Sequence, residues 1–381
     1  MEDKKIVVIN QAVNYLTIGI CNEFAKAFET TQLITGSIHT QGEELHTSVK
    51  VTHINKWQEE HGIAKLLNYI KATLQIYWLL LTKYRKFEVF FISLPPMGYL
   101  LNIFLWHRFS MLIWDVYPDV FKITGMKASH PMYRIWAFLN RLSFKKAYKI
   151  FTIGEKMADL LSVYVPKEKL IIQPIWSIFQ ENKKVLKSEN PFVRTHQLEG
   201  KFVVQYSGNI GLTHNVEVLV DIAKNMMDYP DIVFQIVGRG PRKKVLEKRV
   251  EEEHIPNCQF LPFQSDDMFP YSLSAADLGV VILDEATSKG SVPSKSYNLM
   301  SYGIPALYIA AKDAELYEYA HKFKHAACFK KDEMNNIIEY ISLLSKDNNV
   351  YAQYAKNALK ASTNFKRENA AKMVASYRKE Y

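Results

Sequence analysis

Short runs of apolar, β-branched residues alternate with segments of helical periodicity along nearly the whole chain. One such run is Lys5–Ile9, which precedes a helical segment at 17–28. Another is 201–206, which precedes a helix that begins near Asn215. Strands that alternate with helices assemble into parallel sheets covered by helices. The alternation therefore predicts an α/β protein built from doubly wound sheets.

The 381 residues are enough for two domains of ordinary size. Residues 180–199 are polar and charged, which is typical of a linker between domains. We expect an N-terminal Rossmann-like domain at 1–180 and a second Rossmann-like domain at 200–364. A C-terminal helix near 365–381 is expected to pack back on the first domain.

The stretch 278–309 has the pattern of a strand, a loop of small polar residues and a helix. Leu278–Leu283 predicts a buried strand, Ser294 is a candidate helix N-cap, and Gly303 is a glycine of the kind that ends helices. A helix N-terminus at the end of a strand favours an anion, because its amides and its dipole both attract negative charge. An ordinary βαβ loop has the same pattern, so this stretch alone leaves both interpretations open.

Two further glycine-containing loops follow predicted strands, at 207–211 and at 238–240. Small residues between a strand and a helix allow backbone amides to approach a phosphate. The first loop of the chain, Asn10 to Leu16, lacks the glycine-rich fingerprint of dinucleotide-binding proteins. A nicotinamide or flavin dinucleotide is therefore not expected at the N-terminus.

Asp115 and Asp119 follow the predicted strand 111–114. An acid at the carboxyl end of a parallel strand faces the ligand crevice of such a sheet. Asp115 is therefore the candidate catalytic residue, able to orient or deprotonate a substrate hydroxyl. Asp119 is interpreted as a residue that caps the following turn.

Residues 61–86 predict a long helix whose apolar positions keep a spacing of three and four, from Ile63 through Leu67, Ile70 and Leu74. The favoured interpretation is a helix that buries this stripe against the sheet. The alternative is a basic amphipathic helix on a membrane surface. Polar residues interrupt the segment too often for a membrane span. Membrane contact through residues 61–113 is retained as a prediction.

The formal net charge is +9, and most of the positive excess lies in residues 1–175. A basic first half suits a membrane surface or a phosphorylated substrate, and no nucleic-acid motif is present. The start MEDKK lacks the apolar core of a signal peptide, and three scattered cysteines fit a reducing compartment. We therefore expect a cytoplasmic protein, peripheral at most on the inner membrane face.

The order of the motifs resembles that of GT-B glycosyltransferases, and among them the glycosyltransferase family 4 enzymes of bacterial surface-polysaccharide assembly. The resemblance covers nearly the whole chain. It rests on the motifs WDVYPD (114–119), YSGNIGLTH (206–214), FQIVGRG (234–240), AADLGVV (275–281) and VPSKSYNLMSYGIP (292–305).

This resemblance implies two Rossmann-like domains that face an interdomain cleft. The second domain would bind a nucleoside diphosphate sugar, and the first would hold the acceptor near Asp115. The resemblance also implies retention of the anomeric configuration. No DxD-type pair of carboxylates is present beside the donor loops, so no metal is expected.

The donor-binding residues are carried over position by position. Asn209 and His214 stand where the family has the Arg and Lys that meet the diphosphate, and Arg239 and Lys295 are the candidate substitutes. Asn298 stands at the glutamate that binds the ribose. Gly290 stands at the glutamate that contacts the sugar, with Asp284 and Glu285 nearby. The remaining candidates contribute backbone groups: Gly208, Ser291, Val292, Pro293 and Ser294.

The resulting hypothesis is a glycosyltransferase that moves a sugar from a nucleoside diphosphate sugar, with UDP favoured, to a lipid-linked or oligosaccharide acceptor. Two alternatives remain at this point. One is a degenerate GT-B protein that binds a nucleotide sugar or an assembly partner without turnover. The other is a nucleotide-sugar epimerase.

Overall fold

The computed structural model describes residues 4–57, 63–180, 184–211, 215–284 and 288–379, with only the backbone at 123–124. The chain divides into a first unit of residues 1–178 with 366–381 and a second unit of residues 179–365. Each unit contains one open parallel sheet with helical crossovers. The predicted α/β class with two doubly wound sheets is confirmed.

The first unit is built on a seven-stranded parallel sheet in the order β5-β3-β1-β6-β7-β8-β9, and β2 pairs with β4 beside it. No pattern in the sequence predicted β5, which is short and has no buried residue. The strands are β1 (Lys5–Ile9), β2 (Ala12–Val13), β3 (Thr30–Thr35), β4 (Ser37–Ile38), β5 (Lys50–His53), β6 (Glu88–Ile92), β7 (Phe109–Ile113), β8 (Ile150–Thr152) and β9 (Leu170–Ile172).

Four α-helices connect these strands: α1 (Tyr15–Ala27), α2 (Ile63–Leu81), α3 (Pro131–Lys146) and α4 (Glu155–Leu161). A 3-10 helix, Gly98–Phe104, followed by an extended Leu105, connects β6 to β7. The crossovers through α2 and α3 advance across the sheet in the same direction. Right-handed crossovers therefore place α2 and α3 on one face of the sheet and α1, which runs the other way, on the opposite face.

The buried stripe predicted on α2 is wrong. Ile63, Leu67, Ile70 and Leu74 are exposed, and the side chains that pack inward are those of Ala72, Ile76 and Leu80. The helix is apolar on most of its circumference, so periodicity alone did not indicate which side would meet the sheet. None of the described helices combines the length and the apolar character needed to cross a bilayer.

The second unit has a six-stranded parallel sheet in the order β12-β11-β10-β13-β14-β15. The strands are β10 (Phe202–Asn209), β11 (Ile232–Arg239), β12 (Cys258–Leu261), β13 (Leu278–Ile282), β14 (Ala306–Ile309) and β15 (Ala326–Phe329). The helices are α5 (Pro191–Thr195), α6 (Glu217–Asn225), α7 (Lys243–Glu252), α8 (Phe269–Ala275), α9 (Ser294–Ser301), α10 (Glu315–Phe323), α11 (Met334–Lys346) and α12 (Asn348–Ser362).

The predicted linker differs from the structure. Its residues from 184 onward belong to the second unit, where Phe192 and Val193 of α5 are fully buried. The Asn190 side chain caps α5 by accepting from the Phe192 amide. These two apolar side chains hold the polar segment against the second unit, because they pack in a core cluster with Leu198 and Val203.

The last helix, α13 (Asn369–Arg378), packs against α1 in the first unit. Tyr377 is buried among aromatic rings, with centroid distances of 5.3 Å to Phe24 and 5.8 Å to Phe90. Its hydroxyl donates to Glu88 on β6. The core of the first unit therefore includes residues from the far end of the sequence.

Replacing Tyr377 by alanine is expected to destabilise the first unit by roughly 3–5 kcal/mol, because a buried aromatic side chain leaves a cavity. Chemical denaturation followed by circular dichroism measures the change in the free energy of unfolding. Arg378→Ala, one residue later and exposed, is the matched control. A loss below about 1 kcal/mol in Tyr377→Ala would show that α13 contributes little to this unit.

Candidate functional site

The carboxyl ends of β10 and β11 form the centre of the candidate site in the second unit. The two strands pair to their last residues, which places Gly208 opposite Gly238 and Asn209 opposite Arg239. A Cβ on Gly238 would lie 1.9 Å from the Gly208 carbonyl oxygen. Only glycine fits at 238, because the backbone of Gly208 fills the space that a side chain would need.

The helix α9 begins beside these strand ends. The expected N-cap is wrong by one residue: Pro293 occupies the cap position, Ser294 is the first helical residue, and no side chain caps the helix. Gly303 follows the helix with a φ of +64°, the left-handed conformation expected of a terminating glycine. The uncapped first turn, with Ser291 and Val292 before it, is where backbone amides would meet an anion.

Lys295, in the first turn of α9, is the central charged residue of the site. Its Nζ is buried, lies 4.1 Å from the centre of the Tyr206 ring, and has no hydrogen-bond partner among the described residues. Burial lowers the pKa of this amine to about 8, because the charged form loses its hydration. The Tyr206 hydroxyl donates to the Asn209 carbonyl at 2.7 Å and thereby holds the ring. The site therefore contains an amine that faces an aromatic ring and has no acidic partner within the part of the chain that the structure describes.

A cavity of about 20 Å³ lies beside Lys295, with room for about one water molecule. Polar groups from β10 and α9 line it together with apolar residues from α8 and β13. The lining residues are Gln205, Ser207, Phe269, Leu273, Val280, Lys295, Asn298 and Leu299. Asn298 therefore lies on the same side of the sheet as Lys295, one turn further along the helix.

Arg239 is exposed at the end of β11, with its guanidinium 5.3 Å from the centre of the Phe263 ring. It makes no ion pair within the described ranges. It is a second cation at this edge of the sheet. Arg239 is the last residue of β11, whereas Lys295 lies in the first turn of α9. The two cations therefore reach the strand ends from different elements.

The charged residues described in the loop after β13 have partners. Asp284 accepts from the Asn215 amide at 2.8 Å, and Lys289 lies 3.5 Å from Asp313. Gly290 ends a 3-10 helix, Ser288–Gly290. The candidates His214 and Glu285 lie outside the described residues. No group of three or more His, Cys, Asp or Glu within the described part of the chain is arranged to hold a metal ion.

In the first unit, Asp115 follows the end of β7. The residue is exposed, but protein surrounds the carboxyl closely enough that desolvation raises its pKa above the ordinary aspartate value. Asp119 has a different environment: it is buried, pairs with Lys122 at 2.6 Å, and accepts from Tyr133 and Tyr164. Asp119 is therefore engaged in structural contacts, and Asp115 stays the candidate catalytic residue.

Sequence reasoning missed Ser93, which fixes the turn that carries Asp115. Its φ is +42°, and among the described non-glycine residues of positive φ it is the buried one. Its hydroxyl accepts from the Trp114 amide at 2.7 Å and donates to the Leu112 carbonyl at 3.3 Å. Strained backbone conformations persist where the surroundings hold them, and functional sites are frequent locations.

Ser93→Ala is expected to destabilise the first unit by roughly 1–3 kcal/mol, because the Trp114 amide loses its acceptor. Ser93→Gly is the matched comparison, since it removes the same hydroxyl but relieves the positive φ, and it should lose less. Urea unfolding measures both. Equal losses in the two variants would mean that the backbone of Ser93 stores no strain.

The second unit contains a range of residues that matches a known protein family. Residues 188–361 match the family described as glycosyl transferases group 1. The matched range covers less than half of the chain and lies within the second unit. The ends of β10, β11 and β13 and the α9 turn lie inside the matched range, so the candidate donor site falls within it.

A curated relative is the putative colanic acid biosynthesis glycosyl transferase WcaI of Escherichia coli K12, 31% identical over 218 residues, which are 55% of this chain and 53% of that protein. The chain spans about half the length of the curated relatives it matches. The sequence therefore supports the relationship over part of the chain only.

Two solved structures resemble nearly the whole chain. Sucrose-phosphate synthase from Thermosynechococcus elongatus has a TM-score of 0.75 at 14% identity and covers 98% of both chains. Anabaena HepE in complex with UDP-glucose has a TM-score of 0.72 at 14% identity, again over 98% of both. At such identities the likeness shows the fold alone. The fold of the chain is GT-B.

Proposed function

We propose that this chain transfers a sugar from a nucleoside diphosphate sugar to an acceptor in cell-surface polysaccharide biosynthesis. The observation that carries the proposal is the buried Lys295 amine, which has no hydrogen-bond partner among the described residues and lies next to Gly208 at the uncapped start of α9. Leaving a buried cation without a partner is costly, and a bound diphosphate would supply the missing charge.

The donor would lie at the carboxyl edge of the second sheet. Gly208 and Asn209 would approach the diphosphate, Lys295 and Arg239 would neutralise it, and residues 291–294 would offer backbone amides. Asn298 would bind the ribose. Negative charge grows on the diphosphate as the sugar leaves, so fixed amides and cations there stabilise the transition state.

A uridine nucleotide is the favoured donor. The support is the likeness to Anabaena HepE, whose structure holds UDP-glucose. The acceptor is proposed to be lipid-linked or an oligosaccharide, in line with the similarity to WcaI, named for colanic acid biosynthesis. Retention of the anomeric configuration is proposed from the family resemblance, and proton NMR of the product would report it.

Asp115 is the proposed catalytic residue in the first unit, where it would orient or deprotonate the acceptor hydroxyl. Desolvation raises its pKa, which moves the carboxylate toward the range useful for a base. Transfer should then increase as pH rises through this raised pKa, because only the carboxylate accepts a proton. Asp115→Asn should lose most transfer and keep nucleotide binding.

We also propose that residues 61–113 contact a membrane surface. The exposed α2 stripe, defined here as Ile63, Leu66, Leu67, Ile70, Leu74 and Trp78, supports this proposal. A helix with an apolar face and flanking cations lies in the interface of a bilayer. A lipid-linked acceptor would then be reached at the membrane surface.

The first experiment is a thermal-shift titration with UDP, GDP, ADP and their common sugar conjugates. Stabilisation grows with the ratio of ligand concentration to Kd, so a binding nucleotide raises Tm. Stabilisation by one nucleotide class, followed by sugar transfer to a lipid-linked acceptor, supports the proposal. Binding without turnover on any acceptor would favour the binding-protein alternative, and a new sugar isomer formed without acceptor would favour the epimerase.

A further inference from the structure

The exposed apolar side chains of this protein are concentrated on one face of the first unit. Of the 19 large apolar residues that are exposed in the described part of the chain, 12 lie between Ile63 and Leu142. Six form the α2 stripe, two are Phe104 and Trp106, and four are on α3: Met132, Ile135, Phe138 and Leu142. Single exposed apolar side chains are normal on a protein surface, but a group of this size on neighbouring elements indicates a contact surface.

These elements share a face because of the sheet order. The α2 and α3 crossovers lie on the same side, and both helices pack against the 3-10 helix Gly98–Phe104 between them. Lys146 of α3 donates to the Leu105 carbonyl, and Asn102 donates to the Ser143 carbonyl at 2.8 Å. Hydrogen bonds therefore join α3 to the segment 98–105, and α2 packs beside the same segment on the same side of the sheet.

The charge of this surface identifies its partner. Neither α2 nor α3 contains an Asp or Glu. Residues 63–146 hold 12 Lys and Arg and three acids, of which Asp119 is buried and Glu88 is bonded to Tyr377 and lies 3.7 Å from Arg108. Lys71 is exposed on α2, and Arg134, Arg141 and Lys145 are exposed on α3 beside its apolar residues. Apolar side chains interleaved with cations complement a bilayer with anionic headgroups.

We propose that α3 is a second membrane-contacting element, and that α2 and α3 together form a docking face for an anionic bilayer. This inference rests on the proposed membrane contact of residues 61–113 and extends it to 131–146. A second copy of the chain fits the face less well, since a symmetric contact would bring Arg134, Arg141 and Lys145 against like charges. Contact through two helices would restrict the tilt of the first unit on the membrane more than contact through one helix.

The test is co-sedimentation of the full chain with vesicles of phosphatidylcholine alone and of phosphatidylcholine with phosphatidylglycerol, at low and at physiological salt. The wild-type chain should bind the anionic vesicles preferentially, and salt should weaken binding. The double variant Ile135→Asp with Phe138→Asp should lose at least tenfold in affinity. Arg134→Gln and Arg141→Gln should each lose about fivefold on anionic vesicles and little on neutral ones.

Val245→Asp is the control, an exposed apolar residue on α7 in the second unit that should bind as wild type. Unchanged binding by the α3 variants, with loss in Leu67→Asp, would overturn the role of α3 and leave the contact of α2 standing. No binding by the wild-type chain would overturn both. Sedimentation equilibrium measures the oligomeric state. A wild-type dimer that becomes monomeric in the α3 variant would show that this face binds a second copy of the chain instead of a bilayer. Thermal stabilisation by nucleotides is measured separately, so the donor site is judged independently.

Discussion

Lys295→Met is expected to weaken binding of a nucleoside diphosphate by roughly 10- to 100-fold, the loss of one charge-assisted hydrogen bond to phosphate. The same variant should be more stable than the wild type in the absence of ligand. The ammonium is buried over Tyr206 without a counter-ion, whereas methionine keeps the packing and removes the charge. Holding this cation in place thus lowers the stability of the free protein.

The gain in stability should be roughly 1–3 kcal/mol at pH 7, from a pKa of about 8 against the usual 10.5 and some cation–π compensation. A second unit of this size should then gain roughly 2–8 °C in Tm. Lys289→Met is the matched control, an exposed lysine on the neighbouring loop that pairs loosely with Asp313. Isothermal titration with UDP and calorimetric melting measure the two effects. Unchanged UDP affinity in Lys295→Met would remove this residue from the donor site.

The pH dependence follows from the direction of the Lys295 shift. Between pH 8 and 10.5 the unfolded chain binds more protons than the native chain, so the stability of the wild type rises with pH in that window. The advantage of Lys295→Met should be complete below pH 8 and should vanish toward pH 10.5. Phosphate binding needs the ammonium, so UDP affinity should fall as pH rises above about 8, and only in the wild type.

Gly238→Ala is expected to destabilise the second unit by roughly 2–4 kcal/mol and to lower nucleotide affinity more than tenfold. The new Cβ would meet the Gly208 carbonyl oxygen at 1.9 Å, so the ends of β10 and β11 must separate. The separation would displace the backbone expected to approach the diphosphate. Thermal melting with and without UDP measures both losses.

Gly200→Ala distinguishes the clash from simple backbone strain. Gly200 has a φ of +70°, yet a Cβ there would have no neighbour within 4 Å. Its variant should lose only the 1–2 kcal/mol of a left-handed alanine and should bind UDP normally. If Gly238→Ala behaves like Gly200→Ala, the close approach of the two strand ends is not what makes glycine necessary at 238.

Local patterns in the sequence were sufficient for the alternation of strands and helices and for the placement of the candidate donor loops. Strand Leu278–Ile282, the helix after Pro293 and the terminating Gly303 could be predicted because each depends on neighbours within a few residues. The short β5 was missed because its four residues have neither an apolar run nor a buried position. Such an edge strand is fixed by its partner β3 rather than by its own composition.

Burial was decided by the tertiary structure, because it depends on which elements pack together. The sequence marked Lys295 as a cation on a helix, but only the packing of α9 beside β10 sets its Nζ over Tyr206 without a counter-ion. The sequence also marked α2 as apolar and assigned its stripe to the core. The order of the strands instead places α2 and α3 on the same side of the sheet, and both helices have exposed apolar residues. Periodicity defines a face of a helix, and only the assembled sheet determines what covers that face.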